Sequence, residues 1–240
     1  MLIDNKFIYL NLPRCASTSF HITCMRNNLD IQYYDPILHE QNSFVDMSLS
    51  NEEIADRLSH THEKIVDLKK KFGKDIPVIA VRRDRYERYV SLWKHIIDEL
   101  YRVGEMGVYE IFKNLTVDEL LSYTSHDIVC NETKYDAIKS FLTRVGSKKH
   151  GPYVTAMVYM QMSPTSHYHN HDPNIIWFDI SNLSEMENWV SNKLDREFKL
   201  EKVNSSQHFD CNITIDDYFI KKYNSIYDVY DLPKTAKSIL

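Results

Sequence analysis

Glycine is scarce in this 240-residue chain, at 5 residues, which argues against long flexible linkers. The 4 cysteines, Cys15, Cys24, Cys130 and Cys211, show neither paired metal-ligand spacing nor the density of a disulfide framework, and this fits a reducing compartment. No apolar run approaches the roughly eighteen residues that a membrane helix needs, and no basic segment followed by an apolar core opens the chain. The expectation is a cytoplasmic protein with no membrane anchor. Positive charge is not in surplus either. A net charge of −5 argues against nonspecific binding to nucleic acid by bulk charge, and any anion site has to be built locally.

What is present is an apolar fraction of 43% and a charged fraction of 26%, the balance of a folded globular protein with a sizeable core. No composition shift, repeat or low-complexity tract divides the chain, so residues 1–240 are read as a single domain. Residues 7–10 and 76–81 are nearly continuous apolar runs, as in strands buried on both faces of a parallel sheet, and residues 175–180 form another. Helical spacing covers residues 17–28, where Phe20 and Cys24 stand four apart, and residues 63–72, which stop at Gly73. Residues 29–50 read as irregular, and residue 51 opens a short helix. The second half is helix-rich, around residues 117–123, 134–145, 153–162, 183–194 and 215–230. Strands alternating with helices imply an α/β fold with a central parallel sheet flanked by helices in three layers.

The first segment with chemistry in it is Leu10-Asn11-Leu12-Pro13-Arg14-Cys15-Ala16-Ser17-Thr18-Ser19-Phe20. A strand runs into Pro13, which cannot extend a central strand, and then into three hydroxyl residues of the kind that cap helices. A helix start presents free backbone N–H groups and the positive end of its dipole, both of which favour an anion. Arg14 adds a planar cationic donor. An ordinary capped helix with a solvated arginine would show the same residues, so the segment does not decide the matter alone.

The second segment follows the next buried strand: Arg82-Arg83-Asp84-Arg85-Tyr86-Glu87-Arg88-Tyr89-Val90-Ser91. Asp84 can cap the helix it opens, which is expected to run to about residue 103 with Tyr86, Val90, Trp93, Ile97 and Leu100 as its buried stripe. Asp84, Arg88, Ser91 and His95 share another face. Ligands in open α/β sheets bind outside the carboxyl ends of the strands, where Arg14 and Arg83 should converge. Four arginines within residues 82–88 of a net acidic chain suit an anion there better than solvated decoration.

Together the two segments resemble those of the sulfotransferases that use 3′-phosphoadenosine 5′-phosphosulfate (PAPS). The likeness is greatest to the carbohydrate O-sulfotransferase branch that includes the heparan sulfate uronyl 2-O-sulfotransferases. The resemblance implies a P-loop-like fold. It implies that Pro13-Arg14-Cys15-Ala16-Ser17-Thr18-Ser19 grips the 5′-phosphosulfate. It implies that Arg83 and Ser91 hold the 3′-phosphate, with Arg88 supporting the helix, and that Ser205, in Asn204-Ser205-Ser206, belongs to a loop closing near the nucleotide. It also implies a histidine base between the motifs, His60 or His62, with His60 slightly favoured. The reaction would be sulfuryl transfer to an acceptor hydroxyl, a saccharide in the first place, leaving adenosine 3′,5′-bisphosphate and requiring no metal. Protein tyrosine and small-molecule hydroxyls stay open as acceptors, as does the oligomeric state. Three positions depart from the family pattern: Arg14 stands for lysine, Ala16 for glycine and Arg85 for proline.

Two other function classes fit parts of the chain. A small-molecule kinase would share the strand, loop and helix, but Gly-x-x-x-x-Gly-Lys-[Ser/Thr] is absent from the loop. A catalytically inactive nucleotide-binding module would keep the same residues. His167, His169 and His171 alternate as metal ligands on a strand would, yet Pro164 and Pro173 flank them and make a surface loop the first reading.

Overall fold

The chain begins by folding back on itself, because Asp4 and Asn5 both take left-handed backbone, with φ 46° and 54°. These residue types tolerate that region, and two such residues in sequence suit the turn of a tight hairpin. Lys6 N–H closes the turn onto the Ile3 carbonyl at 2.8 Å. Strand β1, Leu2–Ile3, thereby lies antiparallel to β2, Phe7–Tyr9, in the register Leu2↔Ile8 and Ile3↔Phe7. The structure is a computed structural model and describes residues 1–34, 63–102, 104, 106–114, 116–118, 166–201 and 213–227.

After β2 the chain turns at residues 13–16 into helix α1, Ser17–Arg26, which buries Phe20, Thr23 and Cys24 as the four-residue spacing predicts. It returns as β3, Ile31–Gln32, antiparallel to β1. Two residues are too few for an alternating pattern to show, so this strand was not legible within the stretch read as irregular. Helix α2, Ile65–Phe72, buries Ile65 and Leu68 and stops at Gly73, whose φ of 122° suits glycine. Strand β4, Val78–Arg82, then pairs parallel with β2 and with β5, Ile175–Asp179. Val78, Ile79, Ala80 and Val81 are all buried, as their unbroken apolar run requires.

The sheet order is β3-β1-β2-β4-β5. It is mixed rather than wholly parallel. The reason is local: a hairpin can only add an antiparallel neighbour, and the connection from β2 to β4 is long enough for a parallel crossover. After β5, Asp179 accepts from Ser181 N–H at 2.9 Å and starts a 3₁₀ turn, Ile180–Asn182, that leads into a helix over Leu183–Leu194. That helix buries Met186, Val190 and Leu194, four residues apart. Trp189 packs edge-on against Phe7 at 5.3 Å, and Tyr9 stacks on Phe20 at 3.9 Å.

The chain divides into two compact units. The first comprises Met1–Val45, Asp56–Arg88 and Tyr168–Gln207 and carries the sheet. The second comprises Asp46–Ala55, Tyr89–His167 and His208–Leu240, and its elements among the described residues are helices. Helix α3, Arg85–Arg102, continues from the first unit into the second. It is followed by α4, Met106–Lys113, then by α5, Ser166–His169; the helix over Leu183–Leu194 is α6, and α7 is Asp217–Tyr227.

The buried stripe of α3 is rotated from the expected one. Tyr89, Leu92, Trp93 and Ile97 are buried, whereas Tyr86 and Val90 are half-buried. Tyr89 is inward because it packs on Phe219 and Tyr223 of α7 at 5.9 and 5.4 Å. Ser166–His169 is a helical turn rather than loop. The helices expected at residue 51, over 117–123 beyond residue 118, and over 134–145 and 153–162 lie outside the described residues.

Candidate functional site

Strands β2, β4 and β5 run the same way, so the residues that follow them gather at one rim of the first unit. There the turn at residues 13–16 is wound tightly. Arg14 and Ala16 both have left-handed backbone, with φ 63° and 60°. Tyr9 Oη donates to the Cys15 carbonyl at 3.2 Å, which anchors the turn to the buried strand beneath it. The Cys15 N–H returns to the Leu12 carbonyl at 3.2 Å.

Ala16, not one of the three hydroxyl residues, is the N-cap of α1, and it makes no side-chain cap bond. Its left-handed backbone swings the chain so that Ser17, Thr18 and Ser19 form the first turn instead of preceding it. The first intrahelical bond runs from Phe20 N–H to the Ala16 carbonyl at 2.9 Å. The amides of residues 17–19 come before that bond, at the positive end of the helix.

The second turn reaches this one directly. Arg88, 9% exposed, donates from Nε to the Pro13 carbonyl at 3.1 Å across 75 residues of sequence. Burial pushes the Cys15 thiol up, opposed by the positive charges of Arg88, Arg83 and Arg14. The thiol therefore stays protonated and is not a nucleophile. Three arginine charges, one of them the turn's own Arg14, thus act on the Cys15 thiol. Arg83 also lies 3.6 Å from Glu87 Oε2 on the next turn of α3, and its side chain is 26% exposed. Asp84 caps α3 as expected, Oδ1 accepting from the N–H groups of Tyr86 and Glu87 at 3.0 and 3.1 Å. Beside them Arg82 Nε faces Asp179 Oδ2 at 3.6 Å and joins the ends of β4 and β5.

Of the site residues expected from the sequence, Arg14, Cys15, Ala16 and Arg83 come together, with Ser17, Thr18 and Ser19 at the helix start that follows. Ser91 lies on α3 within the second unit. His60, His62 and Ser205 lie outside the described residues.

Two groups were missed. Arg88, which the resemblance gives to support of its own helix, donates instead to the opposite turn. The other is a hydrogen-bonded pair, His21 Nε2 with Tyr33 Oη, with ring centroids 5.5 Å apart. His21 stands four residues after Ser17, a spacing readable as one helical face; Tyr33 sits in the stretch read as irregular and gave no signal. The alternating histidines form no strand. His169 is buried, its Nδ1 accepts from His171 N–H at 3.0 Å, and burial, then His171, lowers it to about 4. Among the described residues no three His, Cys, Asp or Glu side chains are grouped as a metal ion would need.

No family model, curated protein or solved structure matches the chain.

Proposed function

We propose that this chain is a PAPS-dependent sulfotransferase with a P-loop-like fold. The observation that carries the reading is the fastening of the two arginine-bearing turns to one another by Arg88 on the Pro13 carbonyl. A nucleotide with anionic groups at both ends needs two such turns at a fixed separation. Neither a solvated charge run nor a simple capped helix has reason to join them.

In this reading the amides and hydroxyls of residues 17–19, with Arg14, bind the 5′-phosphosulfate and stabilise the charge that builds on the bridging oxygen. Arg83 binds the 3′-phosphate, and Ser91 and Ser205 are the further candidates that the resemblance offers for holding the nucleotide. Positioning and charge stabilisation do most of the work, as in phosphoryl transfer. The acceptor oxygen attacks sulfur in line, and adenosine 3′,5′-bisphosphate leaves. The acceptor's proton passes to a histidine, for which His60 and His62 are the candidates offered by the resemblance. The acceptor class favoured is a saccharide hydroxyl.

Titration calorimetry with adenosine 3′,5′-bisphosphate tests donor recognition, and Arg83→Ala is expected to weaken binding roughly ten- to a hundredfold, as loss of a charge-assisted pair does. Incubation with labelled PAPS and a panel of glycans, tyrosine peptides and small hydroxyl metabolites tests transfer. Equal affinity for ATP and for the bisphosphate, or binding without transfer to any hydroxyl, would turn the reading toward the kinase or the inactive module.

A further inference from the structure

The sheet brings one more chemically competent pair to the same rim. Strand β3 is antiparallel to β1, and β1 is antiparallel to β2, so β3 runs parallel to β2 and β4. The residue that leaves β3 at its carboxyl end is Tyr33, on the opposite side of the donor turn from Arg83 in the strand order. His21 is on α1, one turn in from Ser17, about 6 Å of helix rise from the amides at its start. Side chains on a helix lean toward its N-terminus, which tilts His21 back toward the turn.

The pair is fixed in place from two elements. Lys71 of α2 donates to the Tyr33 carbonyl at 2.8 Å and also to the Tyr34 carbonyl. His21 holds the Tyr33 hydroxyl from α1. Both side chains are half-buried rather than sealed in the core. Burial raises Tyr33 to about 12, with Cys24 and Glu63 adding to the rise, so its phenol stays protonated at neutral pH.

We propose that the His21–Tyr33 pair is a proton relay on the acceptor side of this site, with Tyr33 Oη contacting the acceptor hydroxyl and His21 receiving its proton. This rests on the sulfotransferase reading. As the acceptor oxygen bonds to sulfur, its proton passes to Tyr33 Oη while the phenolic proton passes to His21 Nε2. The bond from sulfur to the 5′-phosphate oxygen breaks, and its electron pair leaves on adenosine 3′,5′-bisphosphate. Tyr33 ends unchanged, and His21 ends as imidazolium and later releases its proton to water. The relay makes His21, rather than His60 or His62, the terminal base.

The test compares His21→Ala, Tyr33→Phe, their double variant, His60→Ala and His62→Ala in the full chain, with labelled PAPS turnover and bisphosphate affinity read for each. The relay predicts that either single change lowers kcat by roughly a hundredfold with bisphosphate affinity unchanged, that the double variant is no slower than the singles, and that added imidazole restores His21→Ala but not the double variant. Unchanged affinity in each variant shows that its site is still folded. Wild-type turnover in His21→Ala or Tyr33→Phe, or a loss confined to His60→Ala or His62→Ala, overturns the relay and leaves the sulfotransferase reading standing. Absence of bisphosphate binding by the unaltered chain overturns both.

Discussion

Ala16 holds a backbone conformation that favours glycine, because its Cβ approaches the following carbonyl when φ is 60°. Glycine is also the residue that the sulfotransferase resemblance expects at this position. Ala16→Gly is expected to raise stability by up to about 1 kcal/mol, the relief at the left-handed residue exceeding the added freedom of the unfolded chain. Ala16→Val is expected to lower it by more than 1 kcal/mol, since a β-branched residue tolerates that region least. Urea unfolding of the two variants measures both. Their opposite signs are the signature of strain, which a general intolerance at the site would not produce.

Between elements, Arg88 joins α3 to the first turn and Asp84 caps the same helix. Arg88 saturates the Pro13 carbonyl, so Arg88→Met leaves that acceptor without its donor and should cost about 1–3 kcal/mol. On the proposed reading, bisphosphate affinity should fall with it, because a contact that holds the two turns together is lost. Asp84→Ala removes only a cap from two amides and should cost about 1 kcal/mol. Denaturant midpoints and calorimetry on the two variants separate joint from cap: the cap variant loses stability while keeping more of its affinity. The role of Asp84 could be read directly in the sequence, since a cap is made by neighbours two and three residues away. The role of Arg88 could not, because its acceptor lies 75 residues earlier and is identified only once β2 and β4 are known to be adjacent.

At the scale of the molecule, acid should lower the stability of the first unit over two successive pH ranges. His169 is buried neutral, so its folded value of about 4 lies below the ordinary 6.5. Between those limits the unfolded chain binds the extra proton, and stability rises with pH; it is fully present above about 6.5 and lost as pH falls toward 4, by on the order of 2–3 kcal/mol. Asp172 acts below that range. Burial alone would raise it, but the Lys69 ammonium at 2.5 Å and the Asn174 N–H outweigh burial and hold it below the usual carboxylate value. Its contribution is present above about 4 and is lost as pH falls through the depressed folded value. Thermal melts from pH 7 to pH 3 should show the slope between pH 6.5 and pH 4 disappear in His169→Phe, while Asp172→Asn should flatten the curve only below about pH 4.

Strands β2, β4 and β5 and helices α1, α2, α3 and α6 were legible in the sequence alone, because apolar periodicity, Pro13, Gly73 and Asp84 act on residues within a few positions of themselves. So was the identity of the cations. The tertiary structure alone decided that the sheet would be mixed, that β3 would exist, that Ala16 and not a hydroxyl residue would cap α1, and that Arg88, Arg83 and Cys15 would meet. The His21 contact with Tyr33 belongs in the same group. These features depend on which strand edges pair and on which side chains then share a rim. Distance along the chain carries no record of either.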